Sequence, residues 1–95
     1  MKENKFDYLV EVLTDIDDKK VCESFLEDLC TIQELEQMNQ RLLAAKMLLE
    51  GNTYEEVTRK TKVSSATLSR ISKCIRYGDG GYKKAIYKGA VQKPN

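Results

Sequence analysis

The sequence predicts an all-α fold, and three observations predict it. The only proline of the 95 residues is Pro94, and four of the five glycines lie after residue 77, so nothing before Gly78 forces the chain out of a helix except its caps. Apolar residues recur at spacings of three and four, and nowhere do they alternate as a strand requires. Two Thr-x-x-Glu sequences, Thr31 to Glu34 and Thr53 to Glu56, have the form that closes a helix N-terminus reciprocally.

The elements follow in order. Phe6, Leu9, Val10 and Leu13 stand at i, i+3, i+4 and i+7, one amphipathic face of a first helix. Asp15 is the expected cap of the next helix, with Asp17 and Asp18 favouring its N-terminal dipole. Val21, Phe25, Leu26 and Leu29 form the apolar side of that second helix. The first Thr-x-x-Glu box opens the longest helix, residues 32–50. Leu35, Met38, Leu42, Ala45 and Leu49 step 3, 4, 3, 4 along it, while Leu43, Met47 and Leu48 widen the seam. A helix of roughly 28 Å with apolar surface on more than one side requires partners on more than one side. A homodimer with a shared core meets that requirement; a monomer wrapped by its first two helices is the alternative. Gly51 suits a left-handed C-terminal cap.

The second box starts a short helix after Gly51. Val57 and Val63 are expected apolar anchors on either side of a tight turn. Ser64 or Ser65 then caps a further helix, whose Leu68, Ile71 and Ile75 face inward and whose Ser65, Ala66, Ser69 and Lys73 face outward. Gly78, Gly80 and Gly81 break the chain; a last helix, Tyr82 to Lys88, and a frayed GAVQKPN tail are expected. The whole reads as one domain over residues 1–95. Residues 1–50 form a helical dimerisation core, 53–76 a helix-turn-helix, and 78–95 the glycine turn, last helix and tail.

Composition narrows the function. There is no histidine, and Cys22, Cys30 and Cys74 lack the spacing of a zinc or redox pair, so triads, histidine relays and zinc catalysis are excluded. No GK[ST] loop accompanies the late glycines, and the acidic pairs Asp17-Asp18 and Glu55-Glu56 sit at helix starts, where the dipole accounts for them. An enzyme is not expected, nor a metal or bound cofactor. No apolar run approaches the roughly 20 residues of a membrane span, and MKENKFDYLV has no signal-peptide core, so a cytoplasmic protein with reduced thiols is expected.

The net charge of +1 conceals a division. Residues 1–50 hold 6 Lys/Arg against 12 Asp/Glu, whereas residues 51–95 hold 10 against 3. The basic half coincides with the helix-turn-helix, so the expected partner is double-stranded DNA. Small residues at the start of the second helix, Ser65, Ala66 and Ser69, let it approach base edges in the major groove. Ser64 and Thr67 add hydroxyls, and Arg59, Lys60, Lys62, Lys73 and Arg76 are placed to meet phosphates. A DNA-binding accessory subunit of a mobile-element recombinase, or a module binding RNA or an acidic protein, are alternative readings of the same basic half.

The segments LCTIQELEQMNQR, LLEG and ATLSRIS carry a resemblance. Over residues 29–73, about half the chain, the sequence resembles the Trp repressor superfamily, and within it the small bacterial Trp-repressor-like proteins of the YerC/YecD type. The resemblance implies a helical, intertwined homodimer. It further implies a transcription regulator, a repressor, that presents two recognition helices to a near-palindromic operator with half-sites about 34–36 Å apart. It also implies an effector pocket. The corepressor's indole in that family lies between two arginines that align with Arg41 and Arg70, and Thr31 and Thr67 match further lining residues. Two positions depart: Ile71 stands where the family has glycine, and Cys74 where it has serine. Both departures argue against tryptophan as the corepressor and leave the effector's identity open. Alternatively, Arg41 and Arg70 pair with acidic residues such as Glu34 or Glu36, or lie on the surface.

Overall fold

The computed structural model describes residues 4–88, and these form six helices with no strand among them: α1 (Asp7–Asp15), α2 (Lys19–Leu29), α3 (Ile32–Leu49), α4 (Tyr54–Thr61), α5 (Ser65–Tyr77) and α6 (Gly81–Lys88). The expected frayed tail after Lys88 lies outside the described residues. Among the described residues, no helix is long and apolar enough to cross a membrane. The three cysteines are free, with Cys22 and Cys30 half-buried and Cys74 exposed.

The chain divides into two compact units, residues 1–35 and 36–95. Their charges are opposite: the first holds 4 Lys/Arg and 10 Asp/Glu, the second 12 and 5.

In the first unit, α1 and α2 are amphipathic, yet neither buries a single residue. Phe6, Val10, Val21 and Leu29 are each more than two-fifths exposed. The cap of α2 is Asp18 rather than the expected Asp15. Its carboxylate accepts from the Lys20 N–H at 2.8 Å and the Val21 N–H at 3.4 Å. Asp15, Asp17 and Asp18 were all eligible by type; Asp18 is the one immediately before the first helical residue, with the extended backbone a cap needs. Thr31 and Glu34 form the predicted box at the start of α3: the Thr31 N–H donates to Glu34 Oε1 at 2.8 Å and the Glu34 N–H to Thr31 Oγ1 at 3.1 Å.

The second unit holds the core. Ala44 and Ala45 of α3, Val57 of α4, Val63 of the following turn, and Leu68 and Ile71 of α5 are buried together. Ile75 and, from α6, Tyr82 and Ile86 pack around them. α5 packs on both α4 and α6. α3 ends in a Schellman motif, with the Asn52 N–H donating to the Met47 carbonyl and the Gly51 N–H to the Leu48 carbonyl, both at 3.0 Å. Gly51 takes the left-handed conformation this requires, at φ +93°. The apolar residues of α3 are divided. Ala44 and Ala45 are sealed, while Met38, Leu42 and Leu43 stay two-fifths or more exposed or close to it, at 39%, 48% and 44%.

Candidate nucleic-acid interface

Two short helices and the turn between them set out the site. α4 begins with a complete capping box, in which the Thr53 N–H donates to Glu56 Oε1 at 2.8 Å and the Glu56 N–H to Thr53 Oγ1 at 3.1 Å. It ends at Lys62, whose φ of +64° is the left-handed conformation. A side chain other than glycine is strained there, by about 1 kcal/mol. The turn is over-determined by its neighbours. The Lys62 N–H donates to the Thr58 carbonyl at 2.9 Å, and the buried Thr61 hydroxyl donates to the Val57 carbonyl at 2.8 Å while receiving the Val63 N–H at 3.4 Å. Val57 and Val63 anchor the two sides, as their spacing predicts.

Ser64, not Ser65, caps α5: its Oγ accepts the Thr67 N–H at 3.1 Å. Its hydroxyl donates in turn to Thr67 Oγ1 at 3.0 Å. This engagement leaves the Ser65 side chain free on the outer face. Leu68 and Ile71 are buried, at 0% and 2% exposure, and Ile75 is half-buried, so the inner face of α5 is fixed. Ser65, Ala66, Ser69, Lys73 and Arg76 are exposed, and Thr67 is half-buried at the edge. Arg59 and Lys60 are exposed on the last turn of α4, and Lys62 is exposed at the turn. The predicted contact residues thus occupy the outer surface of α4, the turn and α5.

Of the predicted effector residues, Arg41, Thr67, Arg70, Ile71 and Cys74 line one cavity of about 400 Å³. Thr31 lies in the first unit, where its hydroxyl is used in capping α3. The cavity has a further wall that sequence reasoning missed, Tyr82 of α6. Its only signal in the sequence is an aromatic residue placed directly after the Gly80-Gly81 break. Among the described residues, Arg41 and Arg70 form no ion pair with Glu36, and both lie exposed on the surface, as the alternative reading allowed. The ion pair among the described residues is Lys46–Glu50 at 3.3 Å, and the Glu34 carboxylate is engaged at its capping box.

A second cleft, of about 590 Å³, lies between α3 and the turn into α5. Buried Thr61 and Val63 line it, and around them stand Glu36, Gln37, Gln40 and Arg41 of α3 together with Lys62, Ser64 and Thr67. Of these α3 residues the sequence pointed to Arg41, and to Glu36 only as a pairing partner for the arginines; Gln37 and Gln40 were missed. The available signal was the spacing of Gln37, Gln40 and Arg41 at i, i+3 and i+4, which places three hydrogen-bond donors on one helix face.

Comparison with known proteins agrees with this arrangement of helices. A crystal structure of a candidate Trp repressor from Staphylococcus aureus superposes with a TM-score of 0.85 at 28% identity, covering 99% of this chain and 93% of that one. The crystal structure of a Trp-repressor-like protein from Eubacterium eligens gives a TM-score of 0.82 at 34% identity, covering 96% of this chain and all of that one. YerC of Bacillus subtilis, itself uncharacterised, is 38% identical over 86 residues, which are 90% of this chain and 83% of that protein. The Trp repressor protein family matches over residues 4–89. With a likeness that runs through all six helices, the chain belongs to the Trp repressor family.

Proposed function

We propose that the protein is a sequence-specific DNA-binding transcription regulator, a dimeric repressor that occupies a near-palindromic operator. The observation that carries the reading is α5 itself, whose inner face is fixed by Leu68 and Ile71 while Ser65, Ala66 and Ser69 stand exposed on its outer face. A helix held this firmly and bearing small polar residues at its N-terminal end suits the major groove. Five cations around it, Arg59, Lys60, Lys62, Lys73 and Arg76, suit the flanking phosphates. Family membership supports the same reading.

The dimer is supported by what is left uncovered. α1 and α2 bury nothing, and α3 leaves Met38, Leu42 and Leu43 in water. Exposed apolar surface at about 25 cal/mol per Å² is a strong drive to association. A second copy supplies the same faces again, related by a two-fold axis, and two recognition helices then match two half-sites.

Selection of genomic fragments by the purified protein, followed by binding titrations, tests the reading. A palindromic consensus is expected; retention of all fragments alike would overturn it. Within the bound set, Ser69→Ala is expected to change base preference at one position of each half-site, by about 1 kcal/mol. Lys73→Ala is expected to weaken every duplex equally and to flatten the dependence of affinity on salt by about one charge.

The arginine-lined cavity is the proposed effector pocket, and its occupant is not tryptophan. Ile71 borders the cavity and is fixed in the core, and by the resemblance it stands where the family's glycine leaves room for an indole ring. Calorimetric titration with tryptophan is expected to show no micromolar binding, and the same operator affinity is expected with and without it.

A further inference from the structure

We infer that the DNA interface extends beyond α4 and α5 onto α3, where the cleft beside the turn receives a backbone phosphate of the duplex. The inference rests on the proposed DNA-binding reading and adds residues that the reading did not contain: Gln37 and Gln40 as donors to phosphate, Arg41 as its counter-charge, and Glu36 as an opposing charge.

Position comes first. The cleft lies against the start of α5, for Ser64 and Thr67 line it and Ser65 and Ala66 follow in the same turn of helix. A helix seated in the major groove has a sugar-phosphate strand on each side, because the groove is about 12 Å wide and a helix with its side chains nearly fills it. Lys73 and Arg76 lie further along α5. The cleft borders its first turn, where a strand passing the helix end would run.

Chemistry comes second. A phosphate diester offers acceptors only, and the cleft offers donors. The Gln37 and Gln40 amides each carry two N–H groups, and the Arg41 guanidinium carries five. Thr67 Oγ1 already accepts from the Ser64 hydroxyl, at 3.0 Å, so its own hydrogen is left to point elsewhere. Lys62 lines the cleft and is exposed, at a backbone conformation fixed by hydrogen bonds on both sides, so its flexible cation is within the cleft's reach. Among the described residues, neither Arg41 nor Lys62 stands within ion-pair distance of a carboxylate. Glu36 lines the same cleft and works against an anion there. Like charges in proximity weaken binding, and this residue therefore gives the inference a variant that should gain function.

Titration of a labelled operator duplex and a scrambled duplex of equal length with the full chain, over roughly 50 to 200 mM salt, tests the cleft. The double variant Gln37→Ala/Gln40→Ala is expected to lose about tenfold in affinity on both duplexes, since two charge-assisted hydrogen bonds are removed. Arg41→Gln is expected to weaken both and to reduce the slope of log affinity against log salt by about 0.9. Glu36→Gln is expected to tighten both by about threefold, a result that no loss of folding can imitate. Wild-type affinities and salt slopes in all three variants, with Lys73→Ala still weakened, would overturn the cleft and leave the DNA-binding reading intact. Losses confined to the operator duplex would overturn it too, by making these residues base readers. Failure of the unaltered protein to bind either duplex would overturn the reading and the cleft together.

Discussion

Leu68→Ala is expected to lower the stability of the protein by about 3 kcal/mol and its melting temperature by about 15 °C. Leu68 has no exposed surface and is the largest fully buried side chain, packed among Ala44, Ala45, Val57, Val63 and Ile71. Those neighbours are small or β-branched and belong to elements already fixed by caps, so they are poorly able to close over the space left behind. Ser69, the next residue, is exposed, and Ser69→Ala is expected to change stability by less than about 0.5 kcal/mol. Thermal and urea unfolding of the two variants, measured side by side, check this contrast. A loss of under about 1 kcal/mol for Leu68→Ala would mean that α5 is not anchored through its inner face. α5 would then be too loosely held to serve as the rigid reading helix proposed above. At a temperature where the variant is still folded, its sequence preference is expected to be that of the parent, because Leu68 lies on the side of α5 away from the proposed contacts.

The double variant Leu42→Glu/Leu43→Glu is expected to convert the proposed dimer, of about 22 kDa or twice the 10.9 kDa chain, into a monomer. Operator affinity is expected to fall by more than about 100-fold, because a monomer engages one half-site and loses the effective concentration of the second. Both leucines are nearly half exposed, at 48% and 44%. If the protein were a monomer in solution, placing carboxylates there would be almost neutral, within about 0.5 kcal/mol. Within a dimer interface the same change buries two charges per subunit without partners, which is among the costliest substitutions available. Sedimentation equilibrium across a concentration series separates the two outcomes. An unchanged dimer with parental melting behaviour would show that this face of α3 is not the contact.

Much of this arrangement was legible in the sequence, and where it was not, the cause is physical. Capping chemistry is local, so the Thr31–Glu34 and Thr53–Glu56 boxes and the Gly51 terminus were readable residue by residue. The choice among Asp15, Asp17 and Asp18, or between Ser64 and Ser65, was not readable, because each candidate has the right side chain and only backbone conformation selects one. The inward and outward faces of α5 followed from helical period alone, as Leu68 and Ile71 against Ser65 and Ser69 illustrate. The cleft and the Tyr82 wall were invisible for a different reason. They bring Gln37 beside Lys62, and Arg41 beside Tyr82, and no periodicity spans such separations.

The division of charge between the two units has a consequence for how the molecule finds its target. A polyanion repels the unit of residues 1–35 and attracts the unit of residues 36–95, though the whole chain is close to neutral. For the DNA binding proposed above, the near-neutral total keeps long-range capture weak, while the 12 Lys/Arg of residues 36–95 keep the attraction in the unit that carries α4 and α5. Weak long-range capture combined with attraction confined to that unit favours quick release from irrelevant sites, which suits a small protein searching a long genome.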